Sequence, residues 1–310
     1  MWINKPTIGI FGNFQNGKST LINCILKDSI AKVGGKGMSV TDVNTRYTYG
    51  PRLVKTIKRN ETQEIKNNDN YRTFSVSDHV DEIVYQLENN ALKEFDLLDT
   101  PGIDANDQDT EMAMNAITKC NFAILVLRNK TISQQEKKLA KSLYTNNIPF
   151  VVLINCYYDV GIEGSWQATS KHNMQIGKDI MADLKLLGIT LFRVKGYPQL
   201  LIVNLIWKWI SLGITDTDES VGIISAKRLL KGFSLKTLSE NSQFSKILML
   251  LNDKKYHRQC YLWKEFYKCN TEINKFMDSM TIADIDEKIE SQNHVIPNDS
   301  VLDIKNFELL

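Results

Sequence analysis

This chain of 310 residues lacks the marks of several protein classes. Charge of one sign is not in excess: the formal net charge is +2, so nothing electrostatic argues for nucleic acid as a partner. The five cysteines, at 24, 120, 156, 260 and 269, are odd in number and form no C-x-x-C pair, which points to reduced thiols. Long apolar runs are also missing. The stretch from Leu200 to Ile214 is interrupted by Asn204 and Lys208 and is shorter than the about 20 apolar residues that a bilayer requires. Met1 to Pro6 leads straight into the first strand, leaving no room for the cationic and apolar regions of a secretory signal, so a cytoplasmic chain is expected. A hydrophobic content of 43% and a charged content of 24% are ordinary for a globular protein of one large or two modest domains.

What is present begins at Gly12-Asn13-Phe14-Gln15-Asn16-Gly17-Lys18-Ser19-Thr20, which reads G-x-x-x-x-G-K-[ST]. The apolar Thr7 to Phe11 before it is a buried strand by pattern, and Leu21, Ile22 and Ile25 after it share one helical face. Strand, glycine loop and helix in that order form a phosphate cradle, because successive backbone N–H groups and the helix N-terminus converge on one hollow. Lys18 is placed to reach the β- and γ-phosphates of a triphosphate, and Ser19 to give its hydroxyl to Mg²⁺.

Along the chain, Gly34 to Thr41 is too glycine-rich for regular structure, and Val43 to Tyr49 alternates as a strand that closes at Gly50-Pro51. Thr41 stands at the exit of the glycine-rich segment, where its hydroxyl could meet Mg²⁺ and the γ-phosphate. Leu53 to Lys58 reads as another strand, Asn60 to Asn70 as a polar hairpin loop, and Asp78 as the N-cap of a helix through about Leu87. Phe95 to Asp99 is an apolar strand that ends in an acid and breaks into Asp99-Thr100-Pro101-Gly102. Behind a phosphate cradle, that pattern suits metal holding by Asp99 through water and γ-phosphate sensing by the Gly102 N–H; taken alone it is a turn. Helical patterns around Met112 to Ile117, after Ser133, and over Ser165 to Leu187 separate apolar strands at Asn121 to Leu127, Pro149 to Asn155 and Leu200 to Val203. Short apolar strands alternating with helices predict an α/β fold, a mainly parallel sheet with helices on both faces and ligands at the strands' carboxyl ends.

With these residues in hand, the chain resembles the GTPase class of P-loop proteins, and most closely the dynamin-like GTPases. Gly12 to Asn23, Thr41 with its strand to Tyr49-Gly50, and Asp99-Thr100-Pro101-Gly102 carry the resemblance over roughly residues 5–205. The first and last of these motifs are shared with Era-like GTPases. The resemblance implies a nucleotide site built from Gly12, Asn13, Gln15, Asn16, Gly17, Lys18, Ser19 and Thr20 for the phosphates, with Ser19, Thr41 and Asp99 around Mg²⁺. Guanine reading in the family uses N/T-K-x-D, whereas this chain has Asn155-Cys156-Tyr157-Tyr158-Asp159, with the lysine replaced and the acid one residue late. A bulged turn could bring Asp159 to the base, or Asp159 is an ordinary loop residue; Asn204 stands where the last base-contacting loop is placed. Phe14 and Ile103 occupy positions where relatives carry a water-orienting glutamine, so Gln15 is the nearest candidate, joining Lys18, Thr41 and Gly102 as catalytic residues.

The expected organisation is a GTPase domain over 1–215 and a short C-terminal helical extension over 216–310, with helices near Ile223 to Leu230, Phe244 to Leu251 and Tyr256 to Met280. The tryptophans at 207 and 209 fit either a membrane surface or core packing, and Lys254, Lys255, His257 and Arg258 read as a solvated helix face. GTP with Mg²⁺ is the expected ligand and GDP the product of a slow hydrolysis that is faster in a nucleotide-dependent homodimer or with a partner. A membrane surface or protein effector is a further expected partner. A dimerising scaffold with little turnover and a ribosome-associated factor are the alternatives.

Overall fold

The computed structural model describes residues 5–31, 43–58, 61–65, 80–103, 107–156, 166–205, 208–209, 212–213 and 243–265, and the structural statements below concern these residues. Nine strands form one sheet: β1 (Thr7–Phe11), β2 (Asn44–Tyr49), β3 (Leu53–Lys58), β4 (Glu61–Ile65), β5 (Glu82–Leu87), β6 (Asp96–Asp99), β7 (Phe122–Arg128), β8 (Phe150–Asn155) and β9 (Leu200–Val203). Their spatial order is β4-β3-β5-β2-β6-β1-β7-β8-β9. The run β6-β1-β7-β8-β9 is parallel throughout, whereas β2 pairs antiparallel with β6 and β3 antiparallel with both β5 and β4.

Side-chain alternation along the central strands divides the core into two layers. Ile8, Ile10, Leu97, Ile124, Val126, Val151 and Leu153 face helices α1 (Lys18–Leu26) and α5 (Phe244–Asn252). Phe11, Leu98, Leu125, Leu127, Val152 and Ile154 face α2 (Asp107–Ala116), α3 (Gln134–Thr145) and α4 (Trp166–Leu186). Strands covered on both faces have no polar side to show, which is why β7 and β8 read as continuous apolar runs. The mainly parallel sheet with helices on both faces is thus the P-loop GTPase architecture that the alternation predicts.

Two local expectations are corrected. The helix expected from Asp78 through Leu87 is instead, over Glu82–Leu87, strand β5, paired parallel with β2 and antiparallel with β3; Asp78 itself lies outside the described residues. Val80, Ile83, Val84 and Leu87 satisfy helical spacing, but Ile83, Tyr85 and Leu87 are also spaced by two, and burying them together between two partner strands decides the matter. Part of the polar stretch expected to be loop is strand β4, whose Glu61 pairs with Lys58 and Ile65 with Val54. Cross-strand partners compensate for its weak propensity.

The chain divides into two compact units, Met1–Lys264 and Glu265–Leu310, the second almost wholly outside the described residues. Of the residues expected in the extension, the described ones at 243–264 belong to the first unit. From α5, Phe244, Ile247, Leu250 and Leu251 join the core of β1 and α1, and in the helix at 254–265 Tyr256 lies edge-on against Phe122. Trp209 is buried in the same core, while Trp207 lies outside the described residues. His257, expected on a solvated face, is buried, because its turn packs inward while Lys254 reaches Glu94 at 2.8 Å.

Candidate functional site

The cradle sits where β1 gives way to α1. Gly17 forms the N-cap with φ 96°, Gly12 has φ 150°, and Gln15 adopts the left-handed region at φ 61°. Glycine is required twice by close approach: a Cβ at Gly12 would stand 2.2 Å from the Val126 carbonyl oxygen, and one at Gly17 would stand 2.4 Å from Asn155 Nδ2. Lys18 is buried, and its Nζ donates to the carbonyls of Gly12 and Asn13 at 3.1 Å each. Burial lowers its pKa to about 8, against the opposing pull of Asp99 and Asp109.

Asp99 ends β6 on one flank of the cradle. Its Oδ2 accepts from Ser19 Oγ at 2.9 Å, while its buried Oδ1 has no hydrogen-bond partner. Burial pushes its pKa up to about 6, although Lys18, Ser19 and the Thr100 N–H all favour the carboxylate. A buried carboxylate oxygen without a donor, beside a serine hydroxyl and a phosphate loop, fits a hydrated divalent cation shared with phosphate oxygens. Thr100 Oγ1 donates to the Ile10 carbonyl at 2.9 Å, fixing the strand end. Gly102 then lies against the cradle, since a Cβ there would be 2.6 Å from both N and Cα of Phe14.

The cradle is also held from the opposite flank. Ser133 caps α3 in a capping box with Glu136: Glu136 Oε2 accepts from the Ser133 N–H at 2.8 Å, and Ser133 Oγ from the Glu136 N–H at 3.2 Å. The same two side chains accept from the loop, Ser133 Oγ from Asn13 Nδ2 at 3.1 Å and Glu136 Oε1 from Asn16 Nδ2 at 2.8 Å. Asn16 Nδ2 also reaches the Val126 carbonyl at 2.8 Å. Serine followed three residues later by glutamate signals the cap in the sequence; nothing in the spacing tells that the cap is shared with residues over a hundred positions earlier.

Asn155, at the end of β8, is 1% exposed. Its Nδ2 donates to the Asn16 carbonyl at 3.0 Å, and its Oδ1 accepts from the Leu205 N–H at 3.2 Å. The side chain therefore ties the cradle to the segment after β9, where Asn204 is also buried. Cys156 is buried in the α3–α4 side of the core, and burial pushes its thiol up to about 12. Gln15 is held on the β7 side: Arg128 Nη2 donates to its carbonyl at 2.9 Å and to its Oε1 at 3.2 Å. The structure thus brings Gly12, Asn13, Gln15, Asn16, Gly17, Lys18, Ser19, Asp99, Gly102 and Asn155 around one hollow, with Thr20 in the first turn of α1. Thr41 and Asp159, with Tyr157 and Tyr158, lie outside the described residues. Arg128, Ser133 and Glu136 are contacts that sequence reasoning does not find.

Residues 8–156 match the model of the dynamin family. No curated protein matches the sequence. Among solved structures, an oligomerised bacterial dynamin pair, described in connection with long-range sensing and tethering of membranes, superposes with a TM-score of 0.51 at 14% identity. That superposition covers 86% of this chain and 37% of the other, so the chain spans little more than a third of its length. Era of Aquifex aeolicus, bound to GDP·AlF4⁻, aligns over 72% of this chain and 57% of its own at 16% identity, with a TM-score of only 0.37. Residues 8–156 are thus similar in sequence to the dynamin family, and the sheet order and the cradle are those of the P-loop GTPase fold.

Proposed function

We propose that the chain binds GTP with Mg²⁺, hydrolyses the β–γ phosphoanhydride, and acts as a nucleotide-dependent switch. The observation that carries this reading is the pair Ser19 and Asp99, 2.9 Å apart beside Lys18, with Asp99 Oδ1 buried and lacking a donor. Lys18 exchanges two backbone carbonyls for phosphate oxygens, gaining charge-assisted bonds. Ser19 and Asp99 hold the divalent cation, joined by Thr41 from the first switch. When bound, Mg²⁺ neutralises charge that develops on the β- and γ-oxygens. Gly102 turns its N–H to the γ-phosphate and its loop rearranges when that group leaves, while Asp159 and Asn204 complete the base site.

Phe14 and Ile103 offer no polar group for the attacking water, and Gln15 is engaged by Arg128, so turnover is slow in the isolated chain. A second copy meeting over the nucleotide, or a protein effector, accelerates it; a guanidinium supplied by a partner raises such rates by about 10³–10⁵. The family match supports a dynamin-like setting, in which a membrane surface is the platform.

Equilibrium binding of GTP, ATP and XTP with and without Mg²⁺, followed by phosphate release across protein concentrations, tests the proposal. GTP binding that needs Mg²⁺, preference over ATP, a shift toward XTP in Asp159→Asn, and a specific activity that rises with protein concentration are expected. Equal affinity for ATP and GTP would remove the guanine reading, and undetectable phosphate release at all concentrations would leave a binding scaffold.

A further inference from the structure

The ends of β7 and β8 lie side by side, with Arg128 directly opposite Asn155 in register. From these neighbouring positions the two side chains hold consecutive carbonyls of the cradle, Asn155 that of Asn16 and Arg128 that of Gln15. Arg128 adds a longer bond from Nε to the same Gln15 oxygen, at 3.3 Å, and the bond to Oε1 already described. Gln15 is a non-glycine residue in the left-handed region, a conformation disfavoured for a side chain with a Cβ, and this fork of bonds offsets that cost.

The position of this fork along the sheet gives it a second role. The order β6-β1-β7-β8-β9 puts Asp99 on one side of the cradle and Arg128 on the other. With the γ end of a triphosphate at Ser19, Asp99 and Gly102, the other end of the ligand would lie on the β7 side of the cradle, where Arg128 bonds Gln15. The chain position after Asn155 puts no cation there, because Cys156 is turned into the core. Lys208 is engaged elsewhere, over the Phe244 ring at 5.1 Å. A guanidinium bonded along its edge keeps a flat, delocalised cation of the kind that stacks on aromatic ring systems.

We propose that Arg128 is the nucleoside-side cation of this site, bracing Gln15 with its edge and stacking its plane on the purine. The inference rests on the GTP-binding reading above. Stacking uses a π-face that every purine has, so Arg128 supplies affinity without choosing between guanine and adenine. It also contacts no γ-phosphate, so its effect on GTP and on GDP is the same.

Calorimetry with GTP, GDP and inorganic tripolyphosphate, each with Mg²⁺, on the full chain and on Arg128→Ala, Arg128→Lys and Lys18→Ala separates the possibilities. Arg128→Ala should weaken GTP and GDP alike by about tenfold and tripolyphosphate by less than about twofold. Arg128→Lys keeps a donor for the Gln15 carbonyl but loses the plane, so it should bind tripolyphosphate normally and GTP weakly; it also serves if the alanine variant does not fold. Lys18→Ala should lose all three ligands. A loss of tripolyphosphate equal to the loss of GTP in the Arg128 variants would make Arg128 a brace or phosphate cation only, and unchanged nucleotide binding would remove the proposal outright. A wild-type chain that binds tripolyphosphate but neither nucleotide would overturn the GTP reading itself, and this inference with it.

Discussion

Replacing Asn155 by alanine tests whether one amide joins three parts of the site. The side chain is 1% exposed and makes two bonds to backbone, as donor to the Asn16 carbonyl at 3.0 Å and acceptor from the Leu205 N–H at 3.2 Å. Truncation leaves a buried carbonyl and a buried N–H without these partners, each costing about 1–3 kcal/mol. The two together predict a loss of roughly 2–6 kcal/mol, with a small further term for the space left behind. Urea unfolding, monitored by tryptophan fluorescence, gives the stability, and GTP titration gives the effect on the cradle. Affinity should fall as well, since Asn16 loses the bond that fixes its carbonyl between Gln15 and Gly17. Asn155→Asp is the sharper control: it keeps an acceptor for Leu205 but faces the Asn16 carbonyl with a carboxylate, so it should be no better than alanine. A stability change under about 0.5 kcal/mol in Asn155→Ala would refute the reasoning, because buried backbone groups would then have been satisfied some other way.

Glu136→Gln keeps the shape of the α3 cap but turns one acceptor into a donor facing either Asn16 Nδ2 or the Ser133 N–H; we expect a stability loss of about 1–3 kcal/mol and weaker triphosphate binding, measured by urea unfolding and titration. Gly102→Ala places a methyl 2.6 Å from the Phe14 backbone, so the loop must move away from the cradle, and the ratio of GTP to GDP affinity should fall severalfold while the secondary-structure signal in far-ultraviolet circular dichroism stays unchanged. His257 is held neutral mainly by burial, opposed by the Leu250 carbonyl, Asp253 and Glu94, with Lys254 nearby on Glu94. A lowered folded pKa means that the unfolded chain takes up the proton first, so stability is full above about pH 6.5 and is lost as pH falls below it; His257→Phe should flatten that part of a melting-temperature profile.

Much of the phosphate site is legible in sequence because its chemistry is local. Gly12 to Thr20 must be contiguous to wrap one anion, and its strand and helix are coded by the residues on either side. The apolar runs of β7 and β8 announce a sheet covered on both faces, since only full burial tolerates strands with no polar side. Asp99-Thr100-Pro101-Gly102 is likewise found by its abrupt change from strand to turn.

Other features were decided by the tertiary structure, because they depend on which distant segments become neighbours. The residues from Glu82 to Leu87 satisfy two periods at once, and only insertion between β2 and β3 selects the strand. A boundary drawn at residue 216 follows the change of composition, whereas the burial of the apolar face of α5 in the core of β1 and α1 is a tertiary contact that composition does not show. Asn155 could be recognised from its place at a strand end, but its bonds to Asn16 and Leu205 required β8, β9 and the cradle to converge. Arg128 carries no signal in its own neighbourhood, and Glu136 is legible as a helix-capping residue but not as a partner of Asn16. The sequence by itself determined the cradle and the strands that deliver it, since short-range order encodes both; the bracing of that cradle by α3, β7 and β8 arose only when side chains more than a hundred residues away filled the hydrogen-bonding needs of its buried backbone and amides.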